Sequence, residues 1–173
     1  MTKKPRTVRK EVFLPHPPED VWLALTDPQA LAEWLMPNNF EPVAGHKFRF
    51  HVDPMPGPYP GGSECQVLEV DAPRRLAYTW SCLRKDQTKP LPPPTTVTWT
   101  LTPISGGTLL VLEHSGLENE SFWLRFSMKM GWGRMLGKLL PTVLRNVKNG
   151  RFTPGAIIKR DYGTKTVPPG YAK

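Results

Sequence analysis

Two cysteines in 173 residues cannot build a disulfide framework, and their scarcity favours a reducing compartment such as the cytoplasm. There is no run of about 18 apolar residues, so no membrane span is expected. The basic start, MTKKPRTVRKEVFLP, is followed by no apolar h-region, and a secretory signal is not expected. His16, His46, His51 and His114 form no pair at ligand spacing, since His46 and His51 fall on opposite faces of a strand. P-loop, G-x-G-x-x-G and G-x-S-x-G elements are missing. These absences leave no metal, nucleotide or other cofactor to be expected. Acidic residues are scarce at one end. Residues 1–123 hold 12 Lys/Arg against 14 Asp/Glu, whereas residues 124–173 hold 11 against Asp161 alone. The net charge of +8 therefore resides in the last 50 residues. That gradient suits contact with an anionic partner or, more plainly, solubility.

With 39% hydrophobic and 22% charged residues, the chain is globular in composition. It reads as one domain over residues 1–150 followed by a basic tail, 151–173. Val8 to Leu14 is a strand stopped by PHPPED. Pro17 and Pro18 suit a first helical turn, with Glu19 and Asp20 favourable there. VWLALTDPQALAEWLMP makes two short helices divided at Asp27-Pro28, the second carrying Leu31, Trp34 and Leu35. From Gly45 the period becomes two. Phe48, Phe50 and Val52 share a strand face, as do Leu76, Tyr78, Trp80 and Cys82, then Val97, Trp99 and Leu101, then Leu110, Leu112 and His114. About six strands joined mostly by turns predict an antiparallel sheet. DPMPGPYPGG and RKDQTKPLPPP read as proline-rich loops. A hairpin pivoting between Pro73 and Arg74 would bring Cys65 opposite Cys82, with free thiols the expectation.

MGWGRMLGKLLPTVLRNVKNG, residues 130–150, reads as one long helix across the sheet. Trp132, Leu136, Leu139, Leu140, Val143 and Val147 fall in one sector, and Arg134, Lys138, Arg145 and Lys148 on the opposite side. Pro141 lies among the basic residues, where it would bend the helix outward. The remainder lacks a period and reads as a tail docked in part through Phe152, Ile157 and Ile158 and otherwise mobile.

This order of elements resembles the START-like helix-grip fold: a curved antiparallel sheet wrapped around a long C-terminal helix, with two short helices after the first strand. LPHPPEDVWLALTDPQALAEW, GHKFRF, VLEVDAPRRLAYTW, TTVTWTLTPISGGTLLVLEHSGL and the GW of the last helix resemble the family related to the activator of heat-shock protein 90 ATPase. The resemblance spans about Val8 to Val147. It implies an α+β helix-grip fold. Its functional range includes co-chaperone domains and proteins that sequester polyketide antibiotics. The wider superfamily adds lipid carriers and aromatase/cyclase enzymes.

Helix-grip folds commonly enclose a cavity, and Trp34, Phe48, Phe50, Trp80, Trp99 and Trp132 come from six places able to face one volume. For any single aromatic, filling the core is the plainer role. Together with Tyr78, His114, Leu136 and Leu140 they form the candidate site for a hydrophobic or aromatic small molecule. His114 could be a general acid or base, and Tyr78 or Glu64 could polarise a carbonyl, but a satisfied wall histidine is the plainer reading. Arg134, Lys138, Arg145 and Lys148 form the candidate docking face for an acidic protein partner. A membrane-surface helix would need its apolar face free, yet the sheet needs that face covered. Nucleic-acid binding would be helped by exposed aromatics, whereas the outward side read from 130–150 carries only charge. The leading expectation is non-enzymatic ligand binding. A protein-interaction module and a polyketide cyclase-like enzyme are its rivals.

Overall fold

The alternating segments become strands of one six-stranded antiparallel sheet: β1 (Val8–Leu14), β2 (Lys47–Phe50), β3 (Ser63–Asp71), β4 (Arg75–Cys82), β5 (Thr95–Ile104) and β6 (Gly107–Ser115), in the order β1-β6-β5-β4-β3-β2. This is seen in a computed structural model that describes residues 6–53, 62–83, 93–157 and 165–173. Most of both proline-rich stretches, and Ile158, lie outside the described residues. The period of two puts every second side chain on the covered face. Val8, His114, Val97 and Tyr78 make one row across four strands, and Lys10, Leu112, Trp99 and Leu76 make the next.

Helices α1 (Pro18–Thr26) and α2 (Pro28–Trp34) begin at prolines, whose missing N–H costs nothing in a first turn. Asp27 caps α2 by accepting a hydrogen bond from the Ala30 N–H at 2.9 Å. Val21, Ala24 and Leu25 of α1 and Ala30, Leu31 and Trp34 of α2 are buried. Helix α1 packs on β5 and β6.

The last helix differs from the expectation for residues 130–150. It starts earlier, as α3 (Phe122–Arg134), with the Ser121 hydroxyl accepting from the Leu124 N–H. It continues through a π-helical turn (Met135–Leu139) into α4 (Leu140–Leu144) and stops there. Apolar residues lie on more than one side of 122–130, so no amphipathic period marks that half. The π-turn follows from Pro141. The ring would clash with a carbonyl one turn back in an α-helix, and the widened turn, closed by the Leu140 N–H on the Met135 carbonyl, relieves it. Pro141 is half-buried rather than fully outward.

Asn149 (φ 53°) and Gly150 (φ 69°) then form a tight turn with two consecutive left-handed residues. Asn-Gly is the strongest short signal for a two-residue hairpin. It joins β7 (Val147–Lys148) to β8 (Arg151–Phe152). Val147 and Lys148 therefore belong to a hairpin, not to the helix, and Arg145 caps the helix end.

The β3–β4 hairpin also corrects an expectation. Ser63, not Cys65, lies opposite Cys82. The turn is centred on Pro73, and a bulge between Val67 and Glu69 shifts the pairing again. Both thiols are free.

The described residues beyond β8 are held more firmly than their lack of period suggests. Phe152, Ala156 and Ile157 pack on the core. The Glu33 carboxylate accepts from the N–H groups of Gly155 and Ile157. Farther on, the Asp53 carboxylate accepts from the N–H groups of Lys165 and Thr166, each at 2.8 Å, and from the Thr166 hydroxyl at 2.6 Å. Burial pushes the Asp53 carboxyl upward, but these bonds and nearby His51 hold it well below the usual carboxylate range. Asn38 and Ala172 exchange backbone hydrogen bonds.

Gly107 shows how tightly the first strand closes on the sheet. A Cβ there would sit 2.1 Å from the Leu14 carbonyl oxygen. Gly107→Ala should therefore lower stability by about 2 kcal/mol or more, read as a shifted denaturation midpoint.

Candidate functional site

The sequence-predicted aromatics do meet, but in two different roles. Trp34 and Trp99 contact edge-to-face with centroids 6.0 Å apart, Trp99 and Trp132 at 5.6 Å, and Trp132 and Trp80 at 5.8 Å. Trp80 meets Phe50 at 5.2 Å, and Phe48 packs between Phe50 and Tyr78. Such geometry adds roughly 0.5–1.5 kcal/mol per pair beyond area burial. Trp34, Phe48, Phe50, Tyr78, Trp99, Leu136 and Leu140 are each 2% exposed or less and belong to the continuous core. None of these seven lines the cavity described below.

Each buried indole must place its N–H. Trp34 donates to the Ala24 carbonyl at 2.8 Å, and Trp99 donates to the Tyr78 hydroxyl at 3.0 Å. Burial pushes the Tyr78 hydroxyl well above the usual phenol range, so it stays protonated. Trp132 donates to His114 Nδ1 at 3.2 Å.

That last bond decides the state of His114. An indole N–H only donates, so Nδ1 must accept and the ring proton must sit on Nε2. Nε2–H then donates to the Thr95 hydroxyl at 2.8 Å, and the hydroxyl donates to the Trp80 carbonyl at 2.8 Å. Every proton in the chain from Trp132 to Trp80 has one acceptor. Desolvation by burial lowers the His114 pKa to about 4, so the imidazole is neutral at pH 7. With Nδ1 holding the only free lone pair of the ring and accepting from the indole, His114 could act as a general base only after Trp132 moved away. Glu64 is tied to Arg49 by an ion pair at 2.8 Å, away from the cavity lining.

Beside this network is a cavity of about 140 Å³ lined by Leu35, Met36, Trp80, His114, Met128, Gly131, Trp132 and Met135. It lies where the end of α2, the middle of α3, β4 and β6 converge. Three of the predicted residues, Trp80, His114 and Trp132, form part of its wall. Sequence reasoning missed Leu35, Met36, Met128, Gly131 and Met135 as site residues. Met128 sits in the unrecognised half of α3, while Met36 and Met135 carry no pattern that separates a cavity wall from ordinary packing. The volume is about that of a dry cavity able to hold a benzene-sized molecule. Methionine side chains rotate readily, so this wall can adapt to a larger guest.

The remaining candidates lie apart. Arg134, Lys138, Arg145 and Lys148 are all exposed, spread over α3, the π-turn, the helix end and β7. Burial pushes the Cys65 and Cys82 thiols up, so neither is a ready nucleophile. Among the described residues there is no group of three or more His, Cys, Asp or Glu able to hold a metal ion, and no helix long and apolar enough to cross a membrane.

A family model described as activator of Hsp90 ATPase homolog 1-like protein matches residues 15–144. The crystal structure of protein MLL2253 from Mesorhizobium loti is 38% identical, with a TM-score of 0.70, covering 83% of this chain and all of that one. The crystal structure of DynU16, from the dynemicin biosynthetic locus, is 26% identical with a TM-score of 0.66, covering 84% of this chain and 49% of DynU16. The solution structure of the Aha1 dimer from Colwellia psychrerythraea shares the fold at 15% identity, with a TM-score of 0.58, covering 78% of this chain and 92% of that one. No curated protein matches the chain.

The buried neutral histidine predicts a pH-dependent stability. Its folded pKa of about 4 lies below the ordinary value of 6.5, so the unfolded chain takes up the proton first. The stabilising contribution is complete above pH 6.5 and falls as pH drops toward 4. Relative to His114→Gln, the wild type should lose about 3 kcal/mol over that window in denaturation measured at several pH values.

Proposed function

The chain belongs to the activator of Hsp90 ATPase homolog 1-like family, and from the cavity under α3 we propose that it binds a small hydrophobic or aromatic molecule there without covalent chemistry. The observation that carries this reading is the composition of the wall. Seven of its eight residues are apolar or aromatic, and His114 presents a neutral ring whose two nitrogens are already bonded. An apolar guest would lose no hydrogen bond on entry, and a charged one would find no partner among the lining groups. The methionines supply an adaptable surface, and Trp80 and Trp132 supply flat rings. DynU16, a structural relative, comes from a biosynthetic locus, which is in keeping with this reading. A cyclase-like role has less support, because His114 and Tyr78 are both engaged by indole N–H groups and the cavity is small. The proposed place of action is the cytoplasm, in keeping with two free thiols.

A second reading, docking of an acidic protein partner, is supported by the exposure of Arg134, Lys138, Arg145 and Lys148. Binding of that kind should weaken with salt and with reversal of these charges, whereas cavity binding should respond to neither.

Gly131 offers a direct test. It lines the cavity, and a Cβ added to it would meet nothing within 4 Å. Gly131→Leu should fill part of the space and favour the helix by up to about 1 kcal/mol. A titration with 1-anilinonaphthalene-8-sulfonate and a neutral naphthalene probe, read by tryptophan emission, should show saturable binding of the neutral probe. Binding should be at least ~10-fold weaker in the variant, with its melting temperature maintained. Absence of saturable binding to the wild type, or equal binding by both proteins, would sink the proposal.

A further inference from the structure

We propose that the outward face of helix α3 docks on the surface of an anionic lipid bilayer. The face lies in the half of the helix that the amphipathic period did not reveal. Phe122, Trp123, Phe126 and Met130 are 63, 74, 50 and 60% exposed. At 100° per residue they occupy a sector about 100° wide, with Lys129 just beyond one border and Arg134 just beyond the other. Both cations are exposed. The opposite side carries Leu124 and Met128, half-buried, and Trp132, buried. Helix α3 therefore has two apolar faces. One is satisfied by the sheet and cavity, while the other points to solvent.

Large side chains clustered this way are not the scattered apolar residues of an ordinary surface. An aromatic stripe bordered by basic residues is the pattern of a helix lying in the headgroup region, its rings at the acyl boundary and its cations reaching phosphates. Charge complementarity commits the occupant. No Asp or Glu occurs from Ser121 to Arg160, whereas cations recur along the whole stretch. A surface of lipid phosphates can therefore approach the length of the helix without repulsion. The rings favour a bilayer over single-stranded nucleic acid. Phe122 stacks on Phe126 (21° between planes, 6.3 Å), and Phe122 and Trp123 meet edge-to-face (74°, 5.6 Å). They form a joint apolar ridge, whereas base recognition uses open ring faces as platforms. The sheet covers only the inner apolar face of α3 and leaves this second face to solvent. The proposal is independent of whether the cavity holds a guest.

Flotation of the full chain with vesicles provides the test, using phosphatidylglycerol/phosphatidylcholine mixtures and phosphatidylcholine alone at low and moderate salt. The wild type should float with the anionic vesicles, less at higher salt, and at least ~10-fold less with neutral ones. Trp123→Ser/Phe126→Ser should reduce flotation on anionic vesicles at least ~10-fold with an unchanged melting temperature. Lys129→Glu/Arg134→Glu, which leaves the rings in place, should also abolish the preference for anionic lipid. Should the first variant melt lower, the second decides alone. The proposal is overturned if the wild type does not float, or if folded variants float as well as it does. It is equally overturned if the aromatic variant loses only binding to a single-stranded oligonucleotide, or only self-association in sedimentation.

Discussion

The hydrogen bond from the Trp132 indole to His114 Nδ1 joins the last helix to the sheet at the point on which the rest of the site depends. It sets the tautomer of His114, which sets the direction of the bond to Thr95, which in turn closes on the Trp80 carbonyl. An unpartnered buried polar group costs about 1–3 kcal/mol, so the chain is stable as a complete unit and costly to break at any link. It also makes the wall of the cavity chemically quiet. A histidine in a pocket invites an acid–base reading, but this one is neutral, saturated and shielded.

The same helix explains why a cavity lies there. Downstream, Leu136, Leu139, Leu140, Val143 and Leu144 press into the core. Upstream, α3 packs mainly against the edge strand β1 and leaves its outward residues exposed. The π-turn separates these two halves, directly after the Trp132 anchor. A widened turn required by Pro141 therefore begins at Met135, which lines the cavity. Irregular helical turns of this kind often occur at functional sites.

Much of the fold was legible because it rests on local chemistry. Alternation marked the strands, Asp27-Pro28 divided the short helices, and the order of elements pointed to the helix-grip architecture. What was misread had a physical cause in each case. FWLRFSMKM has apolar residues on two faces of one helix, so it lacks the single stripe that periodicity detects. Asn149-Gly150 ends a stretch whose apolar stripe reads as helix, although its preference for left-handed backbone marks a turn. A bulge moved the register of the cysteines by an amount that no count along the chain reveals. For the site, sequence identified the aromatic set but not its division. Trp34 and Trp99 look like Trp80 and Trp132 in one dimension, and only packing separates filler from wall.

That division is the central claim, and the indole N–H resonances in a two-dimensional ¹⁵N spectrum test it most directly. On titration with a neutral naphthalene probe, the Trp80 and Trp132 signals, assigned by substitution to Phe, should shift progressively to saturation. The Trp34 and Trp99 signals, bonded to Ala24 and Tyr78 inside the core, should stay in place. Shifts in Trp34 and Trp99, or no shift in any of the four, would contradict the account.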